Sequence, residues 1–188
     1  MDDLAPAPPQ APAVTRAQLE HVIRAAATIA GDSEIIIIGS QSILGKYPDA
    51  PPELLVSADV DLYPRHHPER ADLIEGSIGE LSPFHQTYGY YAQGVGVRTA
   101  VLPESWEARL VRVETPAGTG LCLEPHDLVV AKYVAGREKD RDYVRAAARH
   151  RLVDQATLLE RLDRTPIDEA RQRDLRQQVG ADFARRDG

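Results

Sequence analysis

Two aspartates, Asp59 and Asp61, stand at i and i+2 in the stretch Val56–Tyr63 (VSADVDLY). If that stretch is a strand, both carboxylates project to one face while Val60 and Leu62 project to the other. Their oxygens could then share one or two divalent cations. Mg2+ takes carboxylate and phosphate oxygens and keeps several waters, so a bare aspartate pair is a partial site that a phosphorylated substrate completes. Upstream, Gly39-Ser40 closes the β-branched run Glu34–Gly39 (EIIIIG). Gly39 has no side chain to keep a phosphate from the backbone. Ser40 adds a hydroxyl where the free N–H groups of a helix start would point. Alone, an Asp-x-Asp is polar alternation and a Gly-Ser is a turn. Together, each on or just after an apolar strand, they read as a phosphate cradle facing a metal pair, the arrangement of phosphoryl and nucleotidyl transfer.

A second constellation lies in Ala131–Tyr143 (AKYVAGREKDRDY). On a continuous helix Lys132 and Lys139 would share a face about two turns apart. Lys132 interrupts the apolar stretch Leu128–Val134, so it must snorkel or find an anion. As a point charge it would neutralise nucleotide phosphates. Lys139 and Arg141 read as solvated charges beside local ion pairs among Arg137, Glu138 and Asp140.

The elements that must position these residues are legible in outline. Ala5–Ala13 is a Pro/Ala run, expected to be extended and mobile, within a tail spanning residues 1–14. Thr15 and Gln18 have the spacing of a capping box, and Leu19, Val22, Ile23 and Ala26 share a face, which predicts a helix over 16–30. Glu34–Gly39 reads as a strand buried on both faces and Val56–Tyr63 as a second strand. Gln41–Leu44 could start a helix between them, and Lys46–Pro52 is a Pro-rich loop. Pro68 opens a helix to about residue 81, and Pro83–Gln93 is aromatic and irregular. Val95–Leu102 and Arg109–Glu114 read as strands, Pro116–Gly120 as a turn, and Leu121–Leu123 as a short returning strand. Helices then follow over about 125–135, 138–150 and 154–162, with Thr165-Pro166 capping a last one. The order is mixed α/β first and helical afterwards. This predicts an α/β (α+β) core over residues 15–125 and a C-terminal helical region over 126–188 packed on it.

Composition narrows the function classes. The chain has 188 residues, 43% hydrophobic and 27% charged, an ordinary globular balance. No apolar run approaches the ~20 residues of a membrane span. The start of the chain lacks the basic residues and apolar stretch of a signal peptide. One cysteine, Cys122, makes no internal disulfide and points to the cytoplasm; it also excludes a zinc site with two or more cysteines of one chain. The net charge of -7 argues against a generic nucleic-acid coat. The charge is uneven: residues 1–131 hold 8 basic and 18 acidic side chains, residues 132–188 hold 14 and 11. An anionic partner therefore belongs with the C-terminal third. His66-His67 reads as an ordinary loop pair near the mouth of the site. Tyr88, Tyr90 and Tyr91 are expected to pack the sheet edge, and Trp106 to be a packing anchor.

Gly39-Ser40 followed by Asp59-Val60-Asp61-Leu62 resembles the signature of the DNA polymerase β-like nucleotidyltransferase superfamily. The stretch Leu123–Leu128 through Lys132 and Gly136–Asp140 is similar to the helical part of bacterial AbiEii-type and allied nucleotidyltransferase-like proteins. The resemblance covers about residues 33–150. It implies a small mixed sheet in which Asp59 and Asp61 bind Mg2+ or Mn2+ beside a nucleoside triphosphate whose phosphates lie on Gly39 and Ser40. It further implies transfer of a nucleotide to an RNA (such as tRNA), a protein hydroxyl or a small molecule, and a place in a toxin–antitoxin pair. Lys132 and Asp140 match the lysine and aspartate that matter in the toxin relatives. The spacer from Ser40 to Asp59 is 18 residues, longer than in compact members. A third carboxylate is expected on a later central strand; Val95–Val101 has no acid, which leaves Glu114 as the candidate ahead of Glu104 and Glu107. Without a third acid, the alternatives are a non-catalytic nucleotidyltransferase-like binding module, an antitoxin-type interaction protein, or an α/β interaction domain whose aspartates have no role.

Overall fold

The structure is a computed structural model and describes residues 13–187. The Pro/Ala run lies outside the described residues up to position 12. The expected tail nevertheless ends before Val14, which is fully buried. The reason is the start of the first helix, α1 (Arg16–Ala30). The Thr15 hydroxyl accepts from the Gln18 N–H, and the Gln18 side chain accepts from the Thr15 N–H. Val14 and Leu19 then take the two positions of a hydrophobic staple, and both are removed from solvent.

Five strands form one mixed sheet: β1 (Glu34–Ile37), β2 (Asp59–Pro64), β3 (Tyr91–Gly94), β4 (Val111–Thr115) and β5 (Gly118–Cys122). Their spatial order is β3-β2-β1-β5-β4. β1 is central, antiparallel to β2 and parallel to β5. β2 and β3 pair in parallel, and β4 and β5 form an antiparallel hairpin. Ile35, Ile36 and Ile37 are all buried, as a strand covered on both faces requires. In β2, Val60 and Leu62 are buried while Asp59 and Asp61 are partly exposed on the other face, as the alternation predicts.

Short helices occupy the connections. A 3-10 turn at Ser40–Ser42 runs into α2 (Ile43–Lys46). A second 3-10 turn at Pro68–Arg70 leads into α3 (Ala71–Ile78), shorter than the expected helix because Gly79 ends it. Residues 83–93 are regular rather than irregular: α4 (Pro83–Tyr88) is capped by Ser82 and closed by Gly89, and β3 follows at once. The strand expected at 95–102 is absent. That segment is a loop: Val95 still packs on the core and donates to the Leu62 carbonyl at 3.0 Å, but Val97 and Val101 are exposed and gain no burial from the sheet. The aromatic residues pack as expected, with Tyr90 buried against Phe84 and hydrogen-bonded to His21 at 2.7 Å.

Four helices complete the chain: α5 (Pro125–Ala135), α6 (Glu138–Arg149), α7 (Gln155–Asp163) and α8 (Glu169–Asp187). The last begins later than Thr165-Pro166, where Asp168 accepts from the Arg171 N–H at 2.8 Å. α5 packs against both α6 and α7, and α8 packs against α6 and α7. Buried residues from Val14 to Phe183 belong to one core. Polar ties fix the helices to the sheet. Asp127, with no exposed side-chain surface, accepts from Arg109 at 2.8 and 3.0 Å and from Arg161 at 3.1 Å. His126 joins the Glu124 carboxylate at 2.8 Å to that of Asp154 at 3.0 Å, which pins the start of α5 to the cap of α7.

Burial pulls the His126 pKa down, but the hydrogen bonds and charges of Glu124 and Asp154 outweigh it and raise the value above 6.5. A raised histidine contributes stability that is complete below the unfolded value and is lost as pH rises through the folded one. His126→Asn should therefore cost about 2 kcal/mol at pH 6, the scale of hydrogen bonds to charged groups. Its cost should shrink by pH 9. Urea unfolding of both proteins across that range measures the difference.

Candidate active site

Gly39 and Asp61 are in direct contact. A Cβ on Gly39 would come within 2.9 Å of both Cβ and Cγ of Asp61 and would overlap its carboxylate. The glycine is needed here because a carboxylate, rather than a phosphate, fills the space beside it. The turn after β1 is stitched to β2 on both sides. The Ile38 N–H donates to the Asp61 carbonyl at 3.0 Å, and the buried Gln41 side chain donates to the Ser57 carbonyl at 2.7 Å. The Ser42 hydroxyl donates back to the Ile37 carbonyl at 2.6 Å, which holds the turn against its own strand. Ser40 is thereby presented beside the aspartates.

The two carboxylates share a face of β2 and are oriented by neighbours. The Ser57 hydroxyl donates to Asp59 Oδ1. Gln93 on β3 stands in register with Asp61. With its amide nitrogen turned to the pair, Gln93 donates to Asp61 Oδ1 at 3.1 Å and to Asp59 Oδ2 at 3.3 Å. The pair opens into a cleft of about 400 Å³ that Ser40, Ser57, Lys132, Arg137, Lys139 and Tyr143 also line. Burial, and then the charge of Asp59, push the Asp61 carboxyl up to about 6, against the pull of Lys132, Lys139 and Arg137.

The helical part supplies those cations through a bend. α5 ends at Gly136, whose φ of 64° is the left-handed cap that a glycine adopts without strain. The bend lets Asp140 on α6 turn back to Lys132 on α5. Lys132 Nζ lies 3.2 Å from Asp140 Oδ1 and 4.3 Å from the centre of the Tyr143 ring. Arg137 Nε donates to Asp140 Oδ2 at 2.7 Å. Burial lowers the Lys132 pKa against the opposing charge of Asp140. For Asp140 burial acts upward, but the hydrogen bond of Arg137 and the charge of Lys132 outweigh it and hold the carboxyl low. The Tyr143 hydroxyl donates to the Ser40 carbonyl at 2.9 Å, so the ion pair, the aromatic ring and the turn form one connected unit.

Gly39, Ser40, Asp59, Asp61 and Lys132 are thus brought together. Glu114 is not among them. It lies on β4, at the opposite edge of the sheet from β3, where its carboxylate accepts from Arg112 and from the Thr119 hydroxyl. That hairpin edge has no path to the cleft, and the position beside the pair belongs to Gln93. Lys139 is exposed, as expected of a solvated charge, and also lines the cleft, whereas Arg141 lines a separate hollow between α5, α6 and α8. His66 and His67 sit past the end of β2 remote from Asp59, where their backbone N–H groups donate to Asp32. Gln93 and Ser57 are not singled out by the sequence, and Arg137 is read there only as a member of a local ion pair, which it forms with Asp140. Ser57 and Gln93 each carry a weak signal, Ser57 by standing two residues before Asp59 and Gln93 by alternating with a small apolar Ala92.

An Asp-x-Asp pair on a strand beside a glycine–serine turn, in a mixed sheet backed by helices, is the frame of a nucleotidyltransferase-like protein. Residues 17–185 match the family described as nucleotidyltransferase of unknown function (DUF6036), and the chain belongs to that family. Comparison with curated proteins and with solved structures found no match.

The raised Asp61 makes a stability prediction. A carboxyl raised from 3.8 to about 6 leaves the fold most stable below the unfolded value and less stable as pH rises through the folded one. Asp61→Asn removes that loss. It should stabilise the metal-free protein at pH 7.5, by up to about 3 kcal/mol for a shift of this size. It should bring no gain at pH 4. Thermal unfolding in a chelator at both pH values measures this.

Proposed function

We propose that the protein is a metal-dependent nucleotidyltransferase acting on a nucleoside triphosphate. The observation that carries this reading is the convergence of Asp59, Asp61 and Ser40 with Lys132, Arg137 and Lys139 in one cleft. The donor set fits a hard divalent cation. It consists of carboxylate and hydroxyl oxygens, and among the described residues no third His, Cys, Asp or Glu joins the pair in a group able to hold a metal without substrate oxygens. Asp59 and Asp61 would hold Mg2+ or Mn2+, with phosphate oxygens and waters filling the remaining positions. When bound, the cation supplies Lewis-acid polarisation of the α-phosphate.

The chain's own residues do the rest. Ser40 and the backbone of the turn position the phosphates. Lys139 and Arg137 neutralise their outer oxygens, and Lys132, held in place by Asp140 and Tyr143, directs its charge at the developing pyrophosphate. An acceptor hydroxyl attacks the α-phosphorus and gives its proton to water, as no third carboxylate among the described residues stands beside the pair; the new P–O bond forms as the bond from the α-phosphorus to the α,β-bridging oxygen breaks, and pyrophosphate leaves. The acceptor hydroxyl belongs to an RNA, a protein or a small molecule. The likeness to AbiEii-type proteins favours a toxin of a toxin–antitoxin pair, and the single buried Cys122 favours the cytoplasm. No helix of the described residues is long and apolar enough to cross a membrane.

One observation favours a second reading. Gln93, an amide, stands where a third carboxylate would take the proton from an acceptor, which suits a module that binds nucleotide without transferring it. Calorimetric titration of ATP, CTP, GTP and UTP with Mg2+ tests binding, and transfer of labelled nucleotide to RNA or protein tests chemistry. Asp59→Asn/Asp61→Asn should abolish metal-dependent binding and lower transfer at least ~10³-fold, as loss of electrostatic stabilisation at a transferring phosphate does. Binding without transfer supports the second reading, and no metal-dependent binding of any nucleotide removes both.

A further inference from the structure

In an inference that rests on the nucleotidyltransferase reading, we propose that the site takes one divalent cation rather than two, and that Gln93 is the positioning residue responsible. β3 lies directly beside β2, and Gln93 is paired in register with Asp61. Residues paired in this way project to the same face, so the side chain at position 93 lies within hydrogen-bond reach of both carboxylates. What the sheet puts there is a donor. With its amide nitrogen turned to the pair, as the two carboxylates require, it donates to Asp61 Oδ1 and Asp59 Oδ2, while Asp59 Oδ1 already accepts from the Ser57 hydroxyl. Three of the pair's four oxygens therefore carry a protein hydrogen bond.

A two-cation site holds its ions about 3.5–4 Å apart and needs oxygens that bridge them. Two such ions carry four positive charges. Here they would meet two carboxylates in a cleft that Lys132, Arg137 and Lys139 already line. A bound triphosphate offsets part of that charge, but no third acid among the described residues stands beside the pair to hold and bridge a second ion. The cleft's other carboxylates come from the far side, Glu53 from the loop before β2 and Asp142 from α6, and Glu53 is engaged by Arg149 and His150. Neither joins Asp59 and Asp61 in a group able to hold a metal. One cation that shares ligands with the incoming phosphates satisfies the pair. The place of a second is taken by the neutral amide and the three side-chain cations.

The consequence is that the cation enters with the nucleotide and that an acid at position 93 opens a second position. Mn2+ binding is measured by electron paramagnetic resonance and equilibrium dialysis, with the α,β-methylene analogue of each of the four nucleoside triphosphates. The wild-type chain should hold one Mn2+ per chain with a mononuclear spectrum, and only when an analogue is present. Gln93→Glu should hold two, with the broadened spectrum of a spin-coupled pair. Gln93→Ala should stay at one, because it removes the donor without supplying an acid. Position 93 is exposed on an edge strand, so both variants keep the fold, and the wild-type count decides the point alone if either does not. A coupled pair in the wild type, or a single ion in a folded Gln93→Glu, overturns the inference and leaves the transferase reading standing. No nucleotide-dependent Mn2+ in the wild type overturns both.

Discussion

A buried ammonium needs a buried anion, and Lys132 finds one in Asp140, whose side chain has no exposed surface. Such a pair adds little net stability, because taking both charges out of water costs about as much as their attraction returns. Its effect is geometric. Asp140 can reach Lys132 only if α5 stops at Gly136 and α6 turns back, so the pair selects the bend between the helices. Tyr143, one turn further along α6, then covers the ammonium with its ring and donates its hydroxyl to Ser40. The helical part is thereby indexed to the turn after β1. Asp127 and His126 do the same at the other end of α5, toward Arg109, Arg161 and Asp154.

The aspartate pair is the opposite case, a charge arrangement the fold tolerates without fully neutralising. Asp61 is pressed against Gly39, half removed from water, and next to a like charge. Ser57 and Gln93 stabilise the two carboxylates with hydrogen bonds, and three cations stand nearby, yet among the described residues no ion pair closes on Asp61. Groups held in this unrelieved state cluster at functional sites, where a ligand supplies what the protein withholds. Burial pushes the structural carboxylate Asp127 up to about 6 as well, so the difference lies in geometry: two arginines close on Asp127 at 2.8–3.1 Å.

Much of this was legible in the sequence, and the failures share a cause. The capping box of α1, the doubly buried run of β1, the alternation of β2 and the glycine-ended α5 are local signals, and each element stands where those signals put it. So are Gly39, Ser40, Asp59 and Asp61, which lie within two strand ends. Lys132 was legible because a lysine in an apolar run demands a partner. What failed depends on neighbours far along the chain. Tyr91–Gly94 is a strand because β2 offers it an edge, whereas the more β-like Val95–Val101 has no edge to join and stays a loop. Once β3 was misplaced, Gln93 could not be seen beside the aspartates, and Glu114 stood in for an acid the site does not have. Lys139 is exposed, as a solvated charge should be; that it also lines the cleft follows from the turn between α5 and α6, which only the assembled fold shows.

The uneven charge along the sequence now has a spatial meaning. The acidic first two-thirds contribute the carboxylates, from β2, and the basic last third contributes the cations, from α5 and α6. The cleft is the seam between them. A ligand that fits such a seam must itself be divided, with a cation to face the carboxylates and anionic oxygens to face Lys132, Arg137 and Lys139. A metal-bound polyphosphate has that division, and neither half of it suffices alone. A free cation meets two carboxylates already occupied by donors and three positive side chains. A free polyphosphate meets Asp59 and Asp61 at close range. Joined, each half screens the repulsion the other would suffer. On the proposed function, the same charge pattern explains why no ion pair among the described residues closes on the aspartates: an arginine closed on Asp61, as two close on Asp127, would occupy the position of the proposed complex.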